Sequence, residues 1–369
     1  MSATPTNVMD PTARFLAACR REPVDRPPVW IMRQAGRYMP TYRALRERAS
    51  FLEICQRPAL SCEATLMPID QLGLDAAILF SDILVPLIPL GLDVQFDEGG
   101  PQIRPPVRTA ADVARLDGID LETALGQVDY VFEAVALIKK TLAGRVPLLG
   151  FSGAPWTLAT YAVEGSVGRN KHALRRMAYD APDALHALLG RLADLVAGFL
   201  ARQIAAGAQA VQIFDTWGGL LSVADWRVFS APYTRRVIEA IKPLGVPIIH
   251  YALDASHLVS SIAELPCDVL SVDHRESLAT IRARTGGRFA LQGNVEQGVL
   301  TASPAAIARA VEACLADYGA EPGHIVNLGH GITPDATVEA AQCFVRTAQA
   351  AGARRWKEGQ EGQERGAAR

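Results

Sequence analysis

Short apolar runs recur along the chain, separated by longer polar or amphipathic segments. Each run is four or five residues long and rich in Val, Ile, Leu and Phe, as expected for strands that are buried on both faces. The runs are Val29–Met32, Ala76–Phe80, Pro147–Phe151, Ala210–Phe214, Pro247–Tyr251, Asp268–Val272, Phe289–Gln292 and Ile325–Leu328. The pattern therefore predicts eight buried strands.

The segments between the runs show helical spacing. In Pro182–Ala206, apolar residues recur every three or four positions, and Pro304–Ala316 and Asp335–Ala350 are similar. Two of these segments begin with proline, which is favoured in the first helical turn. Alternation of strand and helix, repeated eight times, is typical of a (β/α)8 TIM barrel, so we expect an α/β fold. The length of 369 residues leaves both one and two domains open.

A doubly wound open sheet is the main alternative fold. Such sheets often carry a GxGxxG motif or a phosphate-binding GxxxxGK[ST] loop after a strand, and neither motif occurs at such a position here. The pattern therefore favours the barrel.

Two segments depart from the alternation. Between Leu92 and Val107, two stretches of alternating polarity flank the sequence EGG, which predicts a small hairpin inserted after the second strand. After residue 352 the chain is polar and has too little apolar surface to offset the entropy of ordering. We therefore expect a domain over residues 10–352 and a disordered tail over residues 353–369.

Composition narrows the classes of function. The chain is 49% hydrophobic and 21% charged, with a mean hydropathy of +0.12, which excludes a disordered protein. The formal net charge is −2, so a general electrostatic attraction to nucleic acid is not expected. The six cysteines form no CxxC pair, which argues against a disulfide framework or a structural zinc site and favours a reducing, cytoplasmic compartment.

No signal peptide or membrane span is expected. The N-terminal segment lacks a basic stretch followed by an apolar one, and the most apolar window is interrupted by Asp82, Pro86 and Pro89.

Polar residues follow nearly every predicted strand. In a barrel, the active site is built at the C-terminal ends of the strands. The polar clusters are RQAGRY (33–38), Ser81-Asp82, Ser152-Gly153, Asp215-Thr216, His250, Asp273-His274, Gly293-Asn294 and Gly329-His330-Gly331. We expect the functional site to be drawn from them.

The first cluster holds two arginines around a glycine. Arg33 and Arg37 can present two guanidinium groups, together with free backbone N–H groups, to carboxylates or phosphates. The alternative is a pair of ordinary surface arginines in solvated ion pairs, since all but five of the 37 basic residues are arginine. The residues alone leave both interpretations open.

Asp82 and His330 are similarly ambiguous. Asp82 lies within apolar sequence, where a buried carboxylate needs a partner. It either caps the following helix or accepts hydrogen bonds from N–H donors of a ligand. His330 is as readily a core or capping histidine as a ligand contact.

The sequence lacks the residues that some types of catalysis require. No lysine lies near a predicted strand end, which weakens Schiff-base and pyridoxal-phosphate chemistry. The histidines and cysteines show no HxC, HxH or HExxH spacing, so no metal is expected. The groups that remain suit proton transfer on a polyanion that supplies its own electron sink.

The chain closely resembles the uroporphyrinogen decarboxylase family. The resemblance is carried by PPVWIMRQAGRYMPTYR (27–43), FSDILVP (80–86), GFSGAPWTLATYAVEG (150–165), LQGN (291–294) and NLGHG (327–331). It implies a single-domain (β/α)8 barrel, usually a homodimer, that needs neither metal nor organic cofactor. It also implies conversion of uroporphyrinogen III to coproporphyrinogen III by loss of carbon dioxide from four acetate side chains.

The resemblance further implies roles for particular residues. Arg33 and Arg37 would contact substrate carboxylates, and Asp82 would accept hydrogen bonds from pyrrole N–H groups and stabilise a cationic intermediate. These three are the expected catalytic residues. The expected substrate-binding set is Arg33, Gln34, Ala35, Gly36, Arg37, Asp82, Tyr161, Thr216 and His330.

Two other functions fit the same fold. A corrinoid or cobalamin methyltransferase would need zinc held by a His-x-Cys pair and a later cysteine, a constellation that this sequence lacks. A catalytically silent tetrapyrrole-binding barrel is the other alternative, and it has no support because the expected site residues are intact. We expect a small-molecule substrate and a homodimer, without a nucleic-acid or membrane partner.

Overall fold

Parallel strands form the centre of the molecule. A computed structural model describes residues 8–97, 100–166, 168 and 171–367, the last twelve as backbone alone. In this part of the chain the strands are β1 (Ala77–Ile78), β2 (Asp93–Asp97), β3 (Gly100–Arg104), β4 (Leu148–Gly153), β5 (Ala210–Asp215), β6 (Ile248–Ala252), β7 (Val269–Val272), β8 (Ala290–Val295) and β9 (His324–Leu328). All except β2 and β3 form one curled parallel sheet in the order β1-β4-β5-β6-β7-β8-β9.

Helices cover the outside of this sheet. The α-helices of the described residues are α1 (Pro11–Cys19), α2 (Pro40–Arg48), α3 (Phe51–Gln56), α4 (Pro58–Leu72), α5 (Ala110–Asp117), α6 (Leu121–Gly126), α7 (Asp129–Leu142), α8 (Pro155–Glu164), α9 (His172–Asp180), α10 (Pro182–Ala205), α11 (Val223–Phe229), α12 (Ala231–Ile241), α13 (Val259–Ile262), α14 (Leu278–Arg284), α15 (Pro304–Tyr318) and α16 (Val338–Ala367). Short 3-10 helices span Val85–Leu90, Gly218–Leu220, Lys242–Leu244, Ser256–Leu258 and Gln297–Thr301. Among the described residues, α10 is long and apolar enough to cross a membrane by length and composition alone, and half of its most apolar window is buried inside the protein.

The first predicted strand lies between the two edges of the sheet. Val29 forms a parallel bridge with Val326 of β9. Its carbonyl oxygen accepts a hydrogen bond from the amide of Asp75, just before β1, at 2.8 Å. The segment Val29–Met32 therefore contacts β9 on one side and the residue Asp75, just before β1, on the other. The other seven predicted runs overlap with strands of the sheet.

A buried ion cluster, formed by Arg14, Asp25, Arg26 and Asp75, lies where the first two strand segments begin. The carboxylate of Asp75 accepts hydrogen bonds from Arg14 at 3.0 Å and from Arg26 at 2.6 and 2.8 Å. It also accepts the backbone N–H of Val29 at 2.9 Å. Arg14 binds Asp25 in addition, at 2.6 and 2.7 Å. Removing one partner of such a cluster would leave a buried charge uncompensated, so the cluster fixes Val29 firmly against Asp75.

Strands β2 and β3 form a separate antiparallel pair in which Asp93 lies opposite Arg104. Glu98 and Gly99, in the predicted turn, lie outside the described residues. The amide of Ile103 in β3 donates to the carbonyl of Gly165 at 2.8 Å, which attaches this pair to the end of α8.

The last helix differs from the sequence prediction. It begins at Val338 rather than Asp335, because the hydroxyl of Thr337 accepts the amide of Ala340 and caps it there. Its backbone continues to Ala367, through the segment for which disorder is predicted. Ala, Glu, Gln, Lys and Arg in this segment favour a helix, whereas its three glycines disfavour one.

Candidate active site

A cavity of about 480 Å³ opens at the carboxyl ends of the parallel strands. Its wall combines the loops after several strands with residues from α2, α8 and the β2–β3 pair. The lining residues are Met32, Arg33, Gln34, Ala35, Gly36, Arg37, Tyr38, Tyr42, Arg46, Phe51, Thr65, Pro68, Ile78, Leu79, Phe80, Ser81, Asp82, Ile83, Leu84, Phe96, Pro101, Phe151, Tyr161, Phe214, Thr216, Tyr251, His330, Ile332 and Pro334.

All nine residues of the predicted substrate-binding set line this cavity. They are Arg33, Gln34, Ala35, Gly36, Arg37, Asp82, Tyr161, Thr216 and His330. Other polar clusters at strand ends do not reach it. His250, for example, faces a separate cavity of about 20 Å³, and burial lowers the pKa of its imidazole to about 4.

The loop from Arg33 to Arg37 presents two free guanidinium groups. Both arginine side chains are exposed, and neither forms a hydrogen bond or an ion pair with the described residues. The loop itself is fixed from below, because the Tyr38 hydroxyl donates to the carbonyl of Gln34 at 2.6 Å. Arg33 has a φ of 62°, in the left-handed region that non-glycine residues seldom adopt. Within the described part of the chain, these arginines are therefore not members of surface ion pairs and remain available to an anion.

Asp82 accepts a backbone hydrogen bond in the turn before a 3-10 helix and also faces the cavity. One of its carboxylate oxygens accepts the amide of Leu84 at 2.9 Å, at the start of the 3-10 helix Val85–Leu90. No other hydrogen bond to this carboxylate occurs in the part of the chain that the structure describes. Burial raises its pKa to about 6, with the Leu84 amide and the charge of Arg33 acting in the opposite direction. Asp82 is thus an anion with acceptor capacity to spare.

His330 is held by a neighbouring tyrosine. The Tyr251 hydroxyl lies 3.1 Å from the carbonyl oxygen of Gly329 and 3.2 Å from Nδ1 of His330, and the two rings are parallel. Burial lowers the pKa of His330 to about 4, and the positive charge of Arg33 acts in the same direction. The imidazole is therefore neutral near pH 7 and can offer a hydrogen bond but no charge.

Thr216 is carried by a loop that Asp215 supports from beneath. Asp215 is completely buried and accepts hydrogen bonds from the hydroxyls of Thr157 and Ser230, each at 2.9 Å. Burial raises its pKa to about 6 despite these donors. The Asp215 carboxylate therefore stabilises the loop after β5 and does not itself line the cavity.

The sequence interpretation missed a third arginine and an aromatic wall. Arg46 lies one helical turn after Tyr42 on α2, and both side chains line the cavity. Aromatic rings add to the wall from Phe51, Phe80, Phe96, Phe151, Phe214 and Tyr251. The spacing of Tyr42 and Arg46 directly after the RQAGR loop was the available signal for the arginine.

No group of three or more His, Cys, Asp or Glu side chains that could hold a metal ion occurs among the described residues. What the cavity offers instead is one carboxylate, one neutral imidazole, hydroxyls and a positively charged side. That set is suited to binding a polyanion that also carries hydrogen-bond donors.

The chain matches known proteins along most of its length. The family model described as uroporphyrinogen decarboxylase (URO-D) matches residues 10–351. A protein named uroporphyrinogen decarboxylase from Alcanivorax borkumensis is 48% identical to this chain, over 90% of this chain and 95% of its own length. A protein of the same name from Magnetococcus marinus is 46% identical to this chain, over 92% of this chain and 96% of its own length. The chain belongs to the uroporphyrinogen decarboxylase family. Membership confirms the resemblance that the sequence motifs carry.

One solved structure supports the fold alone. A methyltransferase from Methanosarcina mazei superimposes with a TM-score of 0.77 over 93% of this chain and 99% of its own, at 20% sequence identity. At that identity the likeness concerns the arrangement of helices and strands and carries no argument about activity.

Proposed function

We propose that this protein removes carbon dioxide from the four acetate side chains of uroporphyrinogen III and yields coproporphyrinogen III in tetrapyrrole biosynthesis. One observation carries the proposal: the Asp82 carboxylate and the arginines Arg33 and Arg37, which form no ion pair with the described residues, share one cavity. Membership of the family supports the same reaction.

The charges of the cavity match those of a porphyrinogen. The macrocycle carries carboxylates around its edge, and its pyrrole N–H groups point toward its centre. Arginines can bind the peripheral carboxylates through paired hydrogen bonds, and Arg46 adds a third guanidinium to Arg33 and Arg37. Asp82, ionised above pH 6, can accept hydrogen bonds from the central N–H groups.

The pyrrole ring itself can act as the electron sink. Protonation of the ring carbon next to the acetate-bearing position creates an iminium-like cation. The C–C bond to the carboxylate then breaks, and its electron pair neutralises the cation as carbon dioxide leaves. A second protonation, at the exocyclic carbon, gives the methyl group, and the ring carbon then loses the proton that it first gained, which restores the neutral pyrrole. No cofactor is needed for this sequence.

Asp82, Arg33 and Arg37 are the proposed catalytic residues. Asp82 stabilises the cation electrostatically, an effect that can lower a barrier by several kcal/mol in a closed site. Arg33 acts first as a charge stabiliser, because a guanidinium group is a poor acid. The other proposed contacts are Gln34, Ala35, Gly36, Tyr161, Thr216 and His330.

We also propose the finer architecture. Residues 10–352 form one (β/α)8 barrel in which Val29–Met32 is the eighth strand, and the β2–β3 hairpin is inserted after the second strand. A cytoplasmic homodimer is supported by the six unpaired cysteines and by the exposed apolar side chains of Leu220, Val223 and Val228.

The direct test is anaerobic incubation of metal-stripped protein with uroporphyrinogen III. Chromatography of the oxidised products then separates species with seven, six, five and four carboxylates. We expect the four-carboxylate product. Folded protein that gives no product would contradict the proposal and favour a binding-only barrel, which equilibrium binding of the same substrate would reveal.

A further inference from the structure

Lys171 is a buried cation that forms no ion pair with a carboxylate in the part of the chain that the structure describes. It is only 4% exposed, and its ammonium donates a hydrogen bond to the carbonyl of Gly168 at 2.6 Å. No ion pair joins it to a described carboxylate. The nearest influence is Glu164, whose carboxylate already accepts the amide of Leu174 at 2.9 Å. Burying an unpaired ammonium is costly, so another contact must offset it.

That contact is the indole ring of Trp217. The ammonium nitrogen lies 3.9 Å from the ring centroid, well inside the range of a cation–π interaction. Tryptophan has the most favourable ring for this contact, and desolvation strengthens it. This contact therefore offsets part of the cost of burying the Lys171 ammonium.

The backbone of Trp217 is fixed separately by α8. Its amide donates to the Thr157 hydroxyl at 3.2 Å, and its carbonyl accepts the indole N–H of Trp156 at 3.1 Å. The Thr157 hydroxyl in turn donates to the buried carboxylate of Asp215. With the backbone held in this way, the side chain of Trp217 lies between Lys171 on one side and Tyr161 on the other.

The same indole ring packs against Tyr161, which lines the cavity. The two ring centroids are 6.0 Å apart at an interplanar angle of 64°, an edge-to-face contact. Ammonium, indole and phenol thus form a continuous row from the loop after α8 to the cavity wall. Neither Lys171 nor Trp217 lines the cavity.

We propose that Lys171 and Trp217 are positioning residues that hold the Tyr161 ring against the bound tetrapyrrole. The inference rests on the proposed function, since it concerns the same substrate. Each decarboxylation removes one carboxylate that an arginine can hold, so later intermediates depend more on the uncharged wall that includes Tyr161. Loosening Tyr161 should therefore slow the last decarboxylation more than the first.

The test compares Lys171→Met, Trp217→Leu and the double variant with the wild type, in the full-length protein. We expect each single variant to slow formation of the four-carboxylate product about tenfold, the size of effect that loss of one desolvated cation–π contact produces. First-step kcat should change much less, and five- and six-carboxylate species should accumulate. Because both residues act through one contact, the double variant should be no worse than either single one.

Two controls test whether the effect is specific to the contact between Lys171 and Trp217. Lys171→Arg keeps the charge and the ring contact, so it should restore the wild-type product distribution. Arg288→Met removes a cation–π contact with Phe289 that lies away from the cavity, so it should leave the distribution unchanged.

Several results would overturn the inference. Wild-type products from Lys171→Met would remove Lys171 from any role, and additive losses in the double variant would indicate that the charge acts independently of the ring. If Trp217→Leu does not fold, the comparison of Lys171→Met with Lys171→Arg decides, and identical product profiles would count against the inference. An inactive wild type would instead contradict the proposed function.

Discussion

Gly331 lies so close to Arg33 that the structure leaves no space for a side chain at position 331. A Cβ atom on Gly331 would lie 2.3 Å from Cδ and 2.7 Å from Cγ of Arg33. The loop after β9 therefore creates the space through which the Arg33 side chain passes. Two loops that are far apart in the sequence therefore pack against each other at the cavity, and only one of them can carry a side chain at this point.

We expect Gly331→Ala to displace the Arg33 side chain and lower kcat/KM roughly 10- to 100-fold, because small misplacements of a catalytic group have effects of that size. Decarboxylation kinetics would measure the loss, and circular dichroism would show a folded protein. Gly126→Ala is the matched control, since a Cβ there meets no atom within 4 Å. Normal kinetics in Gly331→Ala would mean that the observed position of Arg33 is not needed for turnover.

Asp82→Asn should keep the fold and lose most of the activity. The amide retains the acceptor for the Leu84 N–H but not the negative charge that faces the cavity. Product analysis under anaerobic conditions measures the effect. Turnover close to that of the wild type would eliminate the proposed role of Asp82.

The same variant should become more stable than the wild type above pH 6. An unfolded aspartate ionises near pH 3.9, whereas the folded protein holds the proton on Asp82 up to about pH 6. Between these values the folded state binds the extra proton, so the wild type loses stability as pH rises. The advantage of Asp82→Asn, at most about 3 kcal/mol for a shift of this size, should vanish below pH 4. Urea unfolding at pH 4 and pH 8 tests the sign.

Arg37→Ala should weaken substrate binding. Loss of one charge-assisted hydrogen bond costs about 1.5–3 kcal/mol, equivalent to roughly a 10- to 150-fold rise in KM. Steady-state kinetics provides the measurement. Arg354→Ala is the control, because Arg354 is an exposed arginine paired with Glu312. Equal KM values for the two variants would exclude Arg37 from the site.

Three buried histidines should resist protonation in the folded protein. Burial lowers the pKa of His250, His324 and His330 to about 4 in each case. An unfolded histidine titrates near pH 6.5, so the unfolded state binds more protons between these values. These groups therefore lower stability as pH falls from about 7 to 4. NMR titration of labelled imidazole rings should show three that stay neutral at pH 5 and titrate normally in urea; protonation of all rings above pH 6 would contradict this.

Thr157→Val should destabilise the protein by about 1–3 kcal/mol. The substitution leaves Asp215 with one donor fewer and the Trp217 amide without its acceptor, both in buried surroundings. Thr160→Val is a matched control on the same helix, because its hydroxyl bonds only the carbonyl of Trp156 one turn earlier. Similar unfolding free energies for the two variants would refute the supporting role of Thr157.

The sequence predicts the sheet and the charged part of the site because both follow from local patterns. Apolar runs mark the strands, and the residues directly after them include Arg33, Asp82 and His330. Successive side chains of a strand point to opposite faces. The prediction that His250 could belong to the site was wrong for this reason, because its neighbour Tyr251 faces the cavity and His250 faces away from it.

The uncharged wall of the site could not be predicted in the same way. Phe51 and Phe96 come from α3 and β2, and their rings meet edge to face at 4.7 Å. No strand-end rule places them at the cavity, since their position depends on how these elements pack over the sheet. Lys171 gave no signal either, because its burial against Trp217 is a purely tertiary contact.

The buried ion cluster has a consequence for protein engineering. Asp75 and Val29 bind each other through two hydrogen bonds, and Asp82 and Arg33 follow them a few residues later on the same two chain segments. A slip of one residue between these segments would move the side chains of Asp82 and Arg33 apart by about 3.3 Å. Asp75 therefore sets the register of these two segments at the end of the strands opposite to the cavity. A graft of this site onto another barrel must therefore include Asp75 together with Arg33 and Asp82.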